Sequence, residues 1–372
     1  MVRHVLDPGN MKLSLRSAAF GLATLLAAAS PGCAAAEDDA PPDLTADQEA
    51  EIGAEEQSFS SYDATDAEIA SASAQPHVME HELTLFAIPA PRLIGLSWKR
   101  PGGLARRTLI NNGLGLSRSL GHAAVRVQCG ATATQPAGHF QGSVVDTGDD
   151  FRKMVLGEKA GLGVLLRTVP GALEKEEELQ PTLDERYGNG RLSFIRYEIT
   201  AETCHALLDY AREFDRRGIA GQYGFVRPLY GEGAGCSAFS MAFLELANLD
   251  EERFRKEWSF DVRVPMKLVG GTDNPTNKVT VFELFTTFRP WAKEDEPHRR
   301  LIGWDPTKMF TSIRSAAKQS LRDRSRTVEK RGKALGLVLD RSNVAPRREL
   351  KERTFWAGVP GAPRNYWGFG DP

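Results

Sequence analysis

Gln222-Tyr-Gly-Phe-Val-Arg-Pro-Leu-Tyr-Gly-Glu-Gly-Ala-Gly-Cys236-Ser-Ala-Phe-Ser240 is the stretch on which the reading of this chain turns. Four glycines let the backbone turn tightly and approach other groups closely, and they deliver a cysteine to the start of an apolar run. That run, Ser237 to Leu249, is apolar on nearly every side (Ala238, Phe239, Met241, Ala242, Phe243, Leu244, Leu246), which predicts a helix in the centre of a core. The first turn of a helix carries unsatisfied N–H groups and the positive end of the dipole, and both favour thiolate over thiol. Cys236 is therefore the expected nucleophile. The N–H groups of Cys236 and Ser237 are expected oxyanion donors, and Tyr223 a residue lining the site.

A thiolate that attacks needs a base, and the chain has seven histidines. His122 is the best placed, because it opens the strand-like His122-Ala-Ala-Val-Arg-Val-Gln directly after Gly121. His139 follows on Gly138-His-Phe-Gln-Gly142 and is expected to orient His122, with Gln141 and Asp146 as alternatives for that third role.

A Gly-His strand, a polar residue on a neighbouring strand, a strand leading into Ile-Thr-Ala-Glu202, and then a tyrosine and a Cys-Ser-x-Phe helix resemble the circularly permuted papain-fold thiol hydrolases. These are relatives of the NlpC cell-wall peptidases and the lecithin:retinol acyltransferases. The resemblance covers about residues 83–268. It implies an α+β fold, with a papain-like antiparallel sheet packed on a central buried helix. It also implies a Cys236 thioester, His122 as base, His139 as the third polar group, and a cell-wall peptide or lipid acyl substrate, with no cofactor. The alternative from a different class is a non-catalytic envelope lipoprotein that binds a cell-wall or protein partner.

Outward from this core the composition changes. Lys12 and Arg16 precede Ala18 to Ala29, an apolar run of signal-peptide length that is too short to span a bilayer. Its end, Ser30-Pro-Gly-Cys33, resembles a lipobox, so Cys33 is the expected lipidation site; cleavage after Ala34-Ala-Ala36 is the other reading. Either route leads to the cell envelope. The protein is expected to be lipid-anchored in the periplasm, at the outer membrane, or soluble there if Cys33 is not modified. The acidic stretch to residue 78 has almost no aromatics and reads as a tether.

A catalytic domain is expected over 79–290, and a basic, partly helical extension over 291–372, where Leu321, Val328 and Leu335 stand seven apart. Strands are expected at Leu83 to Ile88, Ala123 to Val127, Leu192 to Ile199, Phe260 to Leu268 and Val279 to Phe288, and a helix from Ala201 to Arg217 after the N-cap Thr200. A formal net charge of -2 over 372 residues gives no reason to expect nucleic acid as partner.

Of the four cysteines, Cys129 and Cys204 lie on apolar faces. They are either a disulfide, which would leave Cys236 as the free thiol, or two separate buried residues. His77-Val-Met-Glu80-His81 matches the H-x-x-E-H pattern of a zinc peptidase, but it follows Pro76 and leads into a strand, so no metal is expected there.

Overall fold

A computed structural model describes residues 78–91, 98–113, 120–130, 138–140, 142–144, 153–233 and 235–347. The expected signal segment and lipobox with Cys33, the tether up to residue 77 with His77, and Gln141 and Asp146 lie outside the described residues.

The protein is a mixed α+β structure built around one sheet. Its strands are β1 (His81–Ile88), β2 (His122–Cys129), β3 (Gly138–Phe140), β6 (Ser193–Glu198), β10 (Thr327–Arg331) and β11 (Ala334–Asp340), in the spatial order β10-β11-β6-β1-β2-β3. The pairs are antiparallel except β11 with β6, which run parallel. β1 and β6 are central and nearly wholly buried; one face is apolar, and the other carries the buried Glu82, Thr84 and Arg196 beside Phe86 and Phe194. Smaller sheets are formed by β4 (Gly142–Val144), β5 (Val169–Leu173) and β7 (Gln222–Tyr223), and by the hairpin of β8 (Ser259–Pro265) with β9 (His298–Trp304).

Register sorts the side chains of the sheet into two layers. Leu83, Leu85, Ala123, Val125, Val127, Ile195 and Tyr197 form one core with α3 (Ala201–Arg216), α4 (Cys236–Leu246), α5 (Glu252–Trp258) and α7 (Pro306–Asp323). Phe86, Ile88, Ala124 and Phe194 point the other way, onto Leu179 and Leu183 of α2 (Glu176–Asn189). α3 is amphipathic, with Cys204, Leu207, Ala211 and Phe214 buried, and the Thr200 hydroxyl accepts from Thr203 N–H as the expected cap. α4 is buried along almost its whole length, as its sequence demands. The hairpin carries a second core of Phe260, Val262, Val264 and Leu301 with Ala105 of α1 (Pro101–Gly113) and Leu284 of α6 (Val281–Thr286).

Three expectations are corrected. Residues 291–347 are not an appendage: β9 completes the hairpin, α7 covers the main sheet, and β11 lies between β6 and β10 within it. The spacing of Leu321, Val328 and Leu335 belongs to three elements, a helix and two strands, that converge on one core. Val279 to Phe288 forms the short helix α6 instead of a strand, because Thr280 and Glu283 make a reciprocal capping box that fixes a helical start.

Two buried polar features tie the elements together. Cys129 at the end of β2 and Cys204 of α3 form a disulfide with Cα atoms 5.8 Å apart, closing 75 residues of chain. Near the C-terminal end of α4, Glu245 is buried beside Asp250, Arg255 and Arg347, and burial raises its carboxyl to about 7 against the pull of Arg347. The phenols of Tyr210 and Tyr230 also feel this carboxylate.

Replacing Cys129 and Cys204 together by serine should lower unfolding stability by about 2–4 kcal/mol, chiefly by freeing the unfolded chain, as read by urea denaturation. Glu245 binds its proton more tightly folded than unfolded, so its charging costs stability as pH rises from 4.5 to about 7. Glu245→Gln should therefore flatten that fall: measured against the parent at pH 5 and pH 8, the variant gains relative stability only at pH 8.

Candidate functional site

The glycine-rich loop packs closely against the segment that precedes it. A Cβ on Gly233, whose φ is +133°, would lie 2.3 Å from the Gln222 carbonyl, and one on Gly235 would lie 2.7 Å from the Gly224 carbonyl. Side chains there would push the loop outward and move the start of α4. Gly235 is the N-cap, its carbonyl accepting from Phe239 N–H, and Cys236 is the first helical residue. The thiol is free and buried, 7% exposed, and its described polar neighbour is Ser237 Oγ at 3.8 Å.

Cys236, Ser237 and Tyr223 line one cavity of about 90 Å³. Its walls come from Trp98 and Gly121, from Phe225 and Val226 after β7, and from Trp304, Asp305 and Pro306 where β9 passes into α7. Trp98 stacks on Phe260 with ring centroids 3.5 Å apart, and its indole N–H donates to Asp305 Oδ2 at 3.0 Å. Asp305 Oδ1 meanwhile accepts from Thr307 N–H at 2.7 Å, capping α7. Burial raises the Asp305 carboxyl above its ordinary range, and the donors from Thr307, Lys308 and Trp98 oppose that rise. One carboxylate thus fixes both a wall of the cavity and the start of a long helix.

His122 is placed elsewhere. In the β1–β2 ladder it pairs with Ile88, and it shares the parity of Ala124, whose side chain packs on α2. Cys236 opens the helix on the opposite layer, with Ala123 and Val125. The His122 imidazole is buried with Nε2 3.5 Å from Glu174 Oε2, in the turn leading into α2. His139 stands opposite Arg126 on β3, four positions along β2 from His122, or about 13 Å at strand spacing. The fold therefore brings the expected Cys236, Ser237 and Tyr223 to one cavity, which Gly121 also reaches, while His122 lies against Glu174 and His139 stands on β3 opposite Arg126. Glu80 and His81 lie at the entry to β1, not on a helix, and His81 Nδ1 accepts from Gly130 N–H at 3.2 Å.

Sequence reasoning missed Trp98 and Asp305. A signal for Asp305 was present, since Trp-Asp-Pro-Thr-Lys places a capping residue before a first-turn proline. Trp98 stands 207 residues away, and no local pattern joins the two. Comparison of the chain with protein families, with curated proteins and with solved structures finds no match.

Replacing Asp305 by Ala removes a helix cap and leaves the Trp98 indole N–H without its acceptor. It should cost about 2–4 kcal/mol of stability and shift tryptophan emission to the red, read by chemical denaturation and fluorescence.

Proposed function

We propose that this is a non-catalytic protein of the bacterial cell envelope that binds a cell-wall or protein partner by an apolar end group in the Cys236 cavity. The observation that carries this reading is the register of β2. It places His122 beside Glu174 on the α2 side of the sheet, while the helix that Cys236 opens packs on the other side, which argues against a Cys–His pair. The size of the cavity supports it further. About 90 Å³ is far below the roughly 300–1,000 Å³ of sites that enclose a whole small ligand, so it suits one small side chain or the tip of an acyl chain. Envelope placement rests on the signal-like N-terminus, with Cys33 as lipidation site, and is supported by the Cys129–Cys204 disulfide, a bond that persists in oxidising compartments.

A second reading is favoured by one observation: a free thiol on the first turn of a buried helix, inside a cavity, as in permuted papain-fold hydrolases. In that reading Cys236 forms a thioester with a cell-wall peptide or lipid acyl group. There His122 is the base, and its removal slows alkylation of Cys236.

Three measurements separate the two. In the binding reading, His122→Ala leaves the rate of Cys236 alkylation by iodoacetamide unchanged within about twofold, because nothing couples the groups. Ala238→Phe, which fills the cavity, abolishes co-sedimentation with purified cell-wall sacculi or capture of the partner protein, whereas Cys236→Ala retains it. Release of muropeptides or fatty acids by the parent but not by Cys236→Ala would replace binding with catalysis.

A further inference from the structure

At the far end of α7, the helix whose start borders the thiol cavity, the chain builds a second cleft of different chemistry. It is an open groove of about 510 Å³ between the helix end and β10, lined by Ser320, Arg324, Ser325, Arg326 and Thr327 with Leu321 and Val328, and Arg324, Ser325 and Thr327 are exposed. The volume falls within the range that holds a small polar ligand.

The charges in this cleft are unbalanced. Elsewhere nearby, arginines are answered by carboxylates: Arg331 by Glu329, Arg341 by Glu251 at 2.9 Å, and Arg347 by Asp250 at 2.6 Å. Among the described residues, Arg324 and Arg326 make no ion pair. The carboxylate closest in sequence, Asp323, accepts from Ser325 N–H at 2.9 Å and from Gln319 Nε2 at 3.1 Å. Two guanidinium groups two positions apart thus share a cleft with three hydroxyls. Ser320 is buried, and its hydroxyl accepts from Ser325 Oγ at 3.3 Å.

The backbone adds an independent observation. Arg324 terminates α7 in the left-handed conformation, at φ 57° and ψ 27°, with its N–H donating to Ser320 C=O at 2.9 Å. That position favours glycine, because a Cβ is crowded there. An arginine in it strains the helix end, and such strain gathers where the side chain serves a purpose beyond stability.

We propose that this cleft binds a phosphate group carried by a small ligand. A carboxylate is satisfied by a single guanidinium fork. Two forks and three hydroxyls offer donors from several directions, which matches the acceptor oxygens of a tetrahedral phosphate. The cleft has room for more than the anion, so the phosphate arrives on a larger group, either a lipid headgroup or a free phosphorylated compound. The site does not depend on the reading of the Cys236 cavity.

The test uses the full chain carrying Cys33→Ser, so that an N-terminal lipid cannot drive membrane binding, and compares it with Arg324→Gly and Arg326→Gln made in that background. Glycerol 3-phosphate is titrated calorimetrically at constant ionic strength. Co-sedimentation is measured with vesicles of phosphatidylglycerol in phosphatidylcholine and with phosphatidylcholine alone. Binding of glycerol 3-phosphate identifies a free phosphorylated ligand, and binding confined to phosphatidylglycerol vesicles identifies a headgroup. Either supports the site if each substitution weakens it by about tenfold or more. Arg324→Gly should at the same time raise the thermal midpoint by ~2 °C, since it relieves the helix end, so loss of binding cannot be put down to misfolding. No binding in either arm, or binding that both variants retain undiminished, overturns the proposal.

Discussion

Arg196 stands in the middle of the main sheet, with its guanidinium shared between Glu82 of β1 and Glu329 of β10, and all three side chains are buried. Burial alone would push the Glu82 carboxyl up; the hydrogen bond from Arg196 and the charges of Arg126 and Arg196 outweigh it and hold Glu82 at about 2. Removing one partner would leave a buried charge unanswered, which is far more costly than the whole set is favourable. The network is therefore best understood as a device for register. It pins strands from the beginning, middle and end of the chain, and a slip of one residue would drive these charges into the apolar layer around α4.

That register also governs the site. Alternation along β2 is strict once Arg126 faces Glu82, so Ala124 and His122 face the same way, toward α2. A histidine on the strand beside a cysteine helix looks catalytic in one dimension. Whether the two meet depends on odd or even position, and that parity is set by pairing with β1.

Much of the local structure was legible. The strands near Leu83, Ala123 and Leu192 and the helices at Ala201 and Ser237 follow from apolar runs, alternation and caps, which are short-range properties. The cysteine pairing was open between two readings until the fold placed the end of β2 beside α3. The contribution of residues after 290 was hidden by charge. Arginines that read as a solvated basic tail include Arg314, buried with its Nη1 3.2 Å from the Gly190 carbonyl, and Arg331, packed over the Phe194 ring. Of the site, the loop and thiol could be read from glycine and helix patterns, whereas Trp98 and Asp305 meet only through tertiary folding. Their contact matters because Trp98 belongs to the hairpin core through Phe260, while Asp305 starts the helix that covers the sheet, so one hydrogen bond couples two cores around the cavity.

The position of β11 in the sheet constrains the order of events as the chain is made. It lies between β6 and β10, yet it comes from residues 334–340, and β6 was completed more than 130 residues earlier. Until β11 emerges, the outer edge of β6 has no partner and Arg196 lacks Glu329. The edge of β6 therefore stays open until residues 334–340 have been made, and the central layer closes only after a connection of more than 130 residues has been bridged.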